Sequence, residues 1–293
     1  MATERSTIDL VLRVAFLIVT VVAGLVGLVM LIDPGSTGDY FSWALGPPPL
    51  AALVGGFYVA STVVFGLAAG RPWGEVRGLV VAVLGLTLPT LVATLVHQEV
   101  FDFSRPVAVV WIVLFVGSPA TFGTILFLRR RVRVDPGPPL PAGLRVALGL
   151  VAAALLALAV LCWVDRSTAA SIVPYSLPPM GAAFLGAWAL FLALLAGWPA
   201  LRGGWNEARI PLIGFAAYAT GGVVAGLRSV DDLEPSGRGA AYLVVLAAGA
   251  GLAAASLLRA DALRSGSPWR ASTSPATATP TPTRSRPRSA TRS

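Results

Sequence analysis

Long, continuously apolar runs separated by short polar breaks dominate the chain. Eight of them are long enough for a helix to cross a hydrocarbon core, which takes about 17–25 residues. They span residues 14–32, 50–69, 79–96, 107–128, 146–164, 181–201, 210–227 and 240–258. None shows the strict alternation of an outer-membrane strand. In hydrocarbon the peptide groups have no water to bond, so each run must satisfy them internally as a helix. The pattern predicts an all-α integral membrane protein with eight transmembrane helices. The first run lacks a small-residue cleavage site and reads as a retained anchor.

Composition sharpens this. Of 293 residues, 56% are hydrophobic and only 12% charged, where a soluble domain carries about 25% charged. Mean hydropathy is +0.77. So few charges cannot cover a water-facing surface, which excludes a soluble enzyme and a disordered protein. The net charge of +8 does not point to nucleic acid either, because its placement follows the membrane. Eighteen of the 22 basic residues, all arginines, fall in the N-terminus, the turns around Trp73 and Trp205, the middle segment and the C-terminal tail. That side carries net +12 and the other net −4. By the positive-inside rule both termini face the cytoplasm, and the expected location is a bacterial inner membrane.

The chain also echoes itself. Leu12-Arg13-Val14-Ala15 returns as Leu144-Arg145-Val146-Ala147, and Asp33 returns as Asp165, both at an offset of 132. Pro47-Pro48 with Gly55 returns as Pro178-Pro179 with Gly186. Trp73-Gly-Glu75-Val-Arg77 returns as Trp205-Asn-Glu207-Ala-Arg209. The expected organisation is therefore two four-helix repeats, 1–131 and 144–264, with a cytoplasmic linker at 132–143 and a disordered basic tail at 265–293. Four crossings per half is even, so the repeats insert the same way up, as parallel repeats.

The repeated residues are the candidates for chemistry. Trp73, Glu75, Arg77, Trp205, Glu207 and Arg209 form paired cytoplasmic turns that suit interfacial anchoring, or contact with an anionic lipid headgroup or ligand. Pro89, Pro119, Gly221 and Gly251 occupy matching positions in four spans and are candidate helix breaks. Phe41, Trp43 and Tyr175 give the outer loops aromatic faces suited to the headgroup layer. Within the eight spans there is no Asp, Glu, Lys, Arg or His, which argues against proton- or ion-coupled transport. His97, with Glu99 and Asp102, is the single histidine and cannot build a multi-histidine metal site. Cys162 lies in an apolar run and reads as a packing residue. No nucleophile–base set, phosphate loop or dinucleotide fingerprint occurs, so no cofactor and no catalysis are expected.

An aromatic-x-Leu-x-Pro lead-in, a glycine-containing second helix and the Trp-x-x-x-Arg turn (Trp73 to Arg77) resemble uncharacterised multi-pass membrane proteins of high-GC bacteria. That resemblance implies lineage and a multi-pass fold, with no substrate. The expected function is non-catalytic: an integral membrane protein organising lipids or partner proteins, with the bilayer and anionic cytoplasmic-leaflet lipids as contacts. The alternative is a facilitator or exporter component for a neutral or amphipathic solute. The orientation is testable in a chain whose single cysteine, Cys162, is replaced by alanine. A membrane-impermeant maleimide applied to intact cells should label Asp102→Cys and spare Arg133→Cys; the opposite pattern would invert the topology.

Overall fold

The computed structural model describes residues 2–232 and, beyond them, 237–241, 244, 247–249, 251, 254 and 255. The tail at 265–293 lies outside the described residues, as does much of the run at 240–258. The described part is helical: α1 (Ala2–Ile32), α2 (Thr37–Tyr40), α3 (Pro48–Ala68), α4 (Trp73–Val96), α5 (Pro106–Leu128), α6 (Ala142–Val164), α7 (Arg166–Ile172), α8 (Pro179–Arg202) and α9 (Trp205–Arg228). Seven of these are long and apolar enough to cross a membrane. They correspond to the first seven predicted runs, and the protein is membrane-embedded. The described positions of the eighth run are helical. There, a side chain at Gly249 would meet Phe215 and Ala219 of α9.

The helices begin earlier than the apolar runs do. Prolines open α3, α5 and α8 at their first turns, where the missing N–H would have no helical partner. α4 follows Pro72 and α9 follows Gly204, both in extended conformation. The predicted turns at Trp73 and Trp205 are therefore first helical turns, not loops. Their Glu75 and Glu207 sit where the positive end of the helix dipole favours a carboxylate.

α3 and α8 are buried along most of their length, while α1, α5 and α6 turn most of theirs outward. α1 packs on α3, α6 on α8 and α5 on α4. α3 crosses to α9 and α4 crosses to α8, which joins a first set of helices, α1–α5, to a second, α6–α9. Lipid tails are as apolar as leucine, so close packing rather than hydrophobic expulsion has to hold such helices together. The tightest seam is between α3 and α9, where backbone meets backbone: a side chain at Gly56 would lie 2.3 Å from the Gly221 carbonyl oxygen. Gly55 is pressed against Met30 of α1, and Gly186 against Cys162 of α6. Near the opposite ends of the same pairs, Arg13 Nε donates to the Ala69 carbonyl (3.1 Å) and Arg145 Nε to the Ala200 carbonyl (3.0 Å).

The segment between α5 and α6 is strapped to the second set. Leu140 N–H donates to Gly203 O (2.7 Å), Trp205 N–H to Pro138 O (2.9 Å) and Asn206 N–H to Pro136 O (3.0 Å). The strap fits because Gly203 ends α8 in the left-handed conformation, φ +69°, which a side chain would strain. At the other end of α6, Asp165 caps α7, accepting from Thr168 N–H and from the Ser167 and Thr168 hydroxyls. The Ser167 hydroxyl, then the Thr168 hydroxyl and N–H, hold the pKa of its carboxyl down to about 2.

The aromatic residues of the outer loops differ from expectation. Phe41, Trp43 and Tyr175 are buried within the protein rather than laid in the headgroup layer. Trp43 stacks within 5.3 Å of Trp111, Phe101 and Phe184. Ring-on-ring packing there fills a space that short loop residues would leave empty.

Replacing Gly221 with alanine must push α3 and α9 apart. Overpacking of this kind costs about 1–3 kcal/mol. Gly221→Ala should lower the thermal midpoint of the detergent-solubilised protein, followed by circular dichroism; an unchanged midpoint would contradict the backbone contact.

Candidate functional site

The six residues singled out at the cytoplasmic side are gathered at one end of the bundle but held differently in the two sets. Trp73 and Trp205 are buried rather than interfacial. Glu207 is buried and lies 3.7 Å from Arg202, while Glu75 lies 3.9 Å from Arg71. Arg77 reaches across to the second set, with its Cζ 5.7 Å from the Trp198 ring, and Arg202 approaches the same ring at 5.2 Å. Such cation–π contacts are worth roughly 0.5–2 kcal/mol each. Arg129 stacks on Trp73 at 5.8 Å and pairs with Asp9 at 2.8 Å. Arg209 is half-buried on the first turns of α9. Among the described residues, Trp73 Nε1, Trp198 Nε1 and Arg77 Nε have no hydrogen-bond partner.

The four candidate breaks have a different fate. α4 runs on through Pro89, α5 through Pro119 and α9 through Gly221, so none of these three positions ends a helix. Thr87 and Thr90 flank Pro89 and turn their hydroxyls onto the carbonyls of Val83 and Leu86, which keeps polar atoms satisfied inside the helix. Gly221 serves the seam with Gly56. Gly251 is at a helical position of the eighth run with open space around it. His97 Nδ1 lies 3.5 Å from Glu99 Oε1, and no group of three metal-ligating side chains converges among the described residues.

The feature with binding potential lies elsewhere, inside the first set. α8 packs along α9, but α3 and α4 share no comparable seam. Between them, walled by α1 and α5, is a half-enclosed cavity of about 430 Å³. That is in the range of small-ligand sites. Its wall is apolar: Val19, Val22 and Val26 of α1, Val83 and Leu86 of α4, Val110 and Leu114 of α5. Val110 is more than half exposed and the α1 valines are half-buried, so the cavity opens sideways, between α1 and α5, towards hydrocarbon.

Both ends are closed by rings. At the end nearer Arg13 and Ala69, Phe16 packs 5.5 Å from Phe65 and 5.8 Å from Phe122. At the other end, Phe41 sits 4.7 Å from Trp43 and 5.4 Å from Trp111. The outer plug is tied down by polar bonds. Arg105 donates to the carbonyls of Gly38 and Asp39, Ser42 Oγ to Val107 O (3.2 Å) and Thr37 Oγ1 to Leu45 O (3.2 Å).

The floor comes from the second set, with Trp188 of α8 and Tyr218 of α9 reaching the cavity. Tyr218 is bonded to Ser61 Oγ at 2.9 Å, and Ser61 in turn donates to Phe57 O. Trp111 is also satisfied, donating through Nε1 to Thr94 Oγ1 at 3.0 Å. Trp188 is not: it is 1% exposed and its Nε1 has no partner among the described residues. Leaving a buried donor unmatched costs about 1–3 kcal/mol. No Asp, Glu, Lys, Arg or His lines the cavity. The sequence signals this site only faintly, through a tryptophan placed near the middle of an apolar run and hydroxyls at Tyr58, Ser61 and Tyr218.

No protein-family model matches the chain, and neither does any curated protein or solved structure. Function has to be argued from the cavity itself. Its outer plug depends on Arg105, whose two bonds are charge-assisted. Removing them with Arg105→Ala should speed amide hydrogen exchange in residues 38–45 by about tenfold or more, as loss of ~1.5–3 kcal/mol implies. Unchanged exchange would show that the rings alone hold the plug.

Proposed function

We propose that the protein is a non-catalytic lipid-organising component of a bacterial inner membrane, and that it retains a neutral amphipathic molecule drawn from the bilayer in the cavity between α3 and α4. The observation that carries this reading is the cavity's shape: closed by rings at both ends, open sideways between α1 and α5, and uncharged. A facilitator needs a path continuous from one side to the other. The Phe16, Phe65, Phe122 and Phe41, Trp43, Trp111 clusters stand in that path and favour retention over passage.

In the same reading the chain has eight crossings built as two parallel four-helix repeats. Three pairs of matched contacts support it. Arg13 to Ala69 corresponds to Arg145 to Ala200, and Gly55 on Met30 corresponds to Gly186 on Cys162. α3 on α9 likewise corresponds to α4 on α8, the exchange expected of a twofold along the membrane normal. Gly249 against α9 supports an eighth crossing in the place that α5 has on α4. Both termini are assigned to the cytoplasm on the arginine bias. Anionic headgroups of that leaflet are the proposed contacts of Arg77 and Arg209, which are half-buried at that end of the bundle.

Val83 is buried on the cavity wall, so a larger side chain there occupies the site. Native mass spectrometry of the full chain released from membranes should find a tightly held lipid. Val83→Phe should reduce its occupancy at least about tenfold, or ~1.4 kcal/mol. Equal lipid retention by the two proteins would end the cavity reading.

A further inference from the structure

We propose that the cavity holds an uncharged lipid whose oxygen-bearing head is met by two open hydroxyls, those of Tyr58 on α3 and Ser118 on α5, near the middle of the membrane. This deepens, and rests on, the reading of the cavity as a lipid-retaining site.

The two hydroxyls are singled out by what their neighbours do. Tyr40 donates to Asp33 O, Ser42 to Val107 O, Thr87 to Val83 O and Ser61 to Phe57 O. Tyr218 is bonded to Ser61 Oγ, and Trp111 donates to Thr94 Oγ1. All six line the cavity, and each is satisfied within the protein. Tyr58 and Ser118 line it too, yet neither hydroxyl has a partner among the described residues. Nor is either sealed: both residues are part-exposed and their oxygens remain accessible. Trp188 Nε1 differs, being shut in by the surrounding rings with no room beside it. Ser118 also departs from the other hydroxyls at depth. Thr20, Ser61, Thr87, Thr90 and Thr94 turn back onto the carbonyl four residues earlier, and Ser118 does not.

Their level in the bundle is shared. At 1.5 Å per residue, Tyr58 lies about 15 Å beyond Pro48, where α3 starts, and Ser118 about 18 Å beyond Pro106, where α5 starts. α3 and α5 are the second and fourth long helices and run in the same direction. Both hydroxyls therefore sit near the middle of a hydrocarbon core about 30 Å thick. α3 and α5 share no seam, so the hydroxyls belong to different walls of the cavity.

A hydroxyl can donate and accept, so an oxygen on the ligand completes either one. With no Asp, Glu, Lys, Arg or His on the wall, a phosphate or carboxylate head would be stripped of water without a counter-charge. A phospholipid head is also tied to the membrane surface. An oxygen delivered to this level belongs to a molecule that itself resides in the hydrocarbon. A ketone-type carbonyl and an alcohol both meet these terms, and the sideways opening between α1 and α5 takes the chain.

The test uses the full chain in detergent and three tritiated probes of equal chain length: a long-chain ketone, the alcohol and the alkane. Binding is read by scintillation proximity and corrected for uptake by empty micelles. Wild type should bind at least one oxygen-bearing probe about tenfold more tightly than the alkane, the worth of one buried hydrogen bond. Tyr58→Phe and Ser118→Ala each remove one oxygen and should each cut that preference about threefold or more; together they should erase it. Alkane binding kept by the variants reports that they are folded with the cavity intact. A preference for the ketone assigns a carbonyl-bearing lipid and one for the alcohol a lipid alcohol, and either supports the proposal. Equal binding of all three probes by wild type overturns it without any variant. So does a preference that survives in full in either single variant or in the double one. These outcomes leave the cavity reading standing. Failure of every probe to bind, or undiminished alkane binding by Val83→Phe, overturns the cavity reading and this assignment with it.

Discussion

Inside hydrocarbon a peptide group has no water to bond, so every residue at depth must be in a structure that satisfies its own backbone. That constraint makes this chain a set of helices, and it also decides where everything else can be. Arginines and carboxylates are held at the helix ends, where Arg13, Arg145 and Arg105 spend their donors on backbone carbonyls left open by neighbouring segments. Hydroxyls that do lie at depth are turned back on their own helices, as Thr87, Thr90 and Thr94 show. With polar forces confined in this way, the association of the helices falls to close contact, and the glycines at positions 55, 56, 186 and 221 provide it.

Against that background an unmatched polar atom at depth stands out. Trp188, whose Nε1 has no partner among the described residues, borders a cavity that forms because the α3–α4 and α8–α9 pairs pack differently. α8 and α9 close on each other, whereas α3 and α4 stand apart with Trp188 and Tyr218 projecting into the gap from the second set. In the proposed reading, a repeated architecture supplies the frame and the departure from symmetry supplies the site. The cluster around Trp198 serves a separate purpose: through that ring it ties Arg77 of α4 to Arg202 of α8, which pairs with Glu207 of α9.

Much of the frame was legible in the residue pattern, because length, continuity and charge placement are one-dimensional properties. The first seven runs correspond to seven long helices, with starts shifted outward to Pro48, Trp73, Pro106, Pro179 and Trp205. The shift has a simple cause: a helix continues through the polar interface until a proline or glycine stops it, whereas hydropathy ends at the interface. The aromatic residues were misplaced for the same reason. Phe41, Trp43 and Tyr175 have the composition of headgroup anchors, and only their neighbours in space make them core.

The sequence by itself determined an all-helical membrane-embedded chain and a wide imbalance of arginine between its two sides, since hydrocarbon filters residues one at a time by their transfer cost. It also carried the matched segments at Trp73 and Trp205. Only the tertiary structure decided that α4, α5 and α9 continue through Pro89, Pro119 and Gly221, that Gly56 meets Gly221, and that α3 and α4 part around a cavity. Those outcomes depend on which side chains face each other across helices distant in sequence. Distances between such faces follow from packing, which no single stretch of the chain contains.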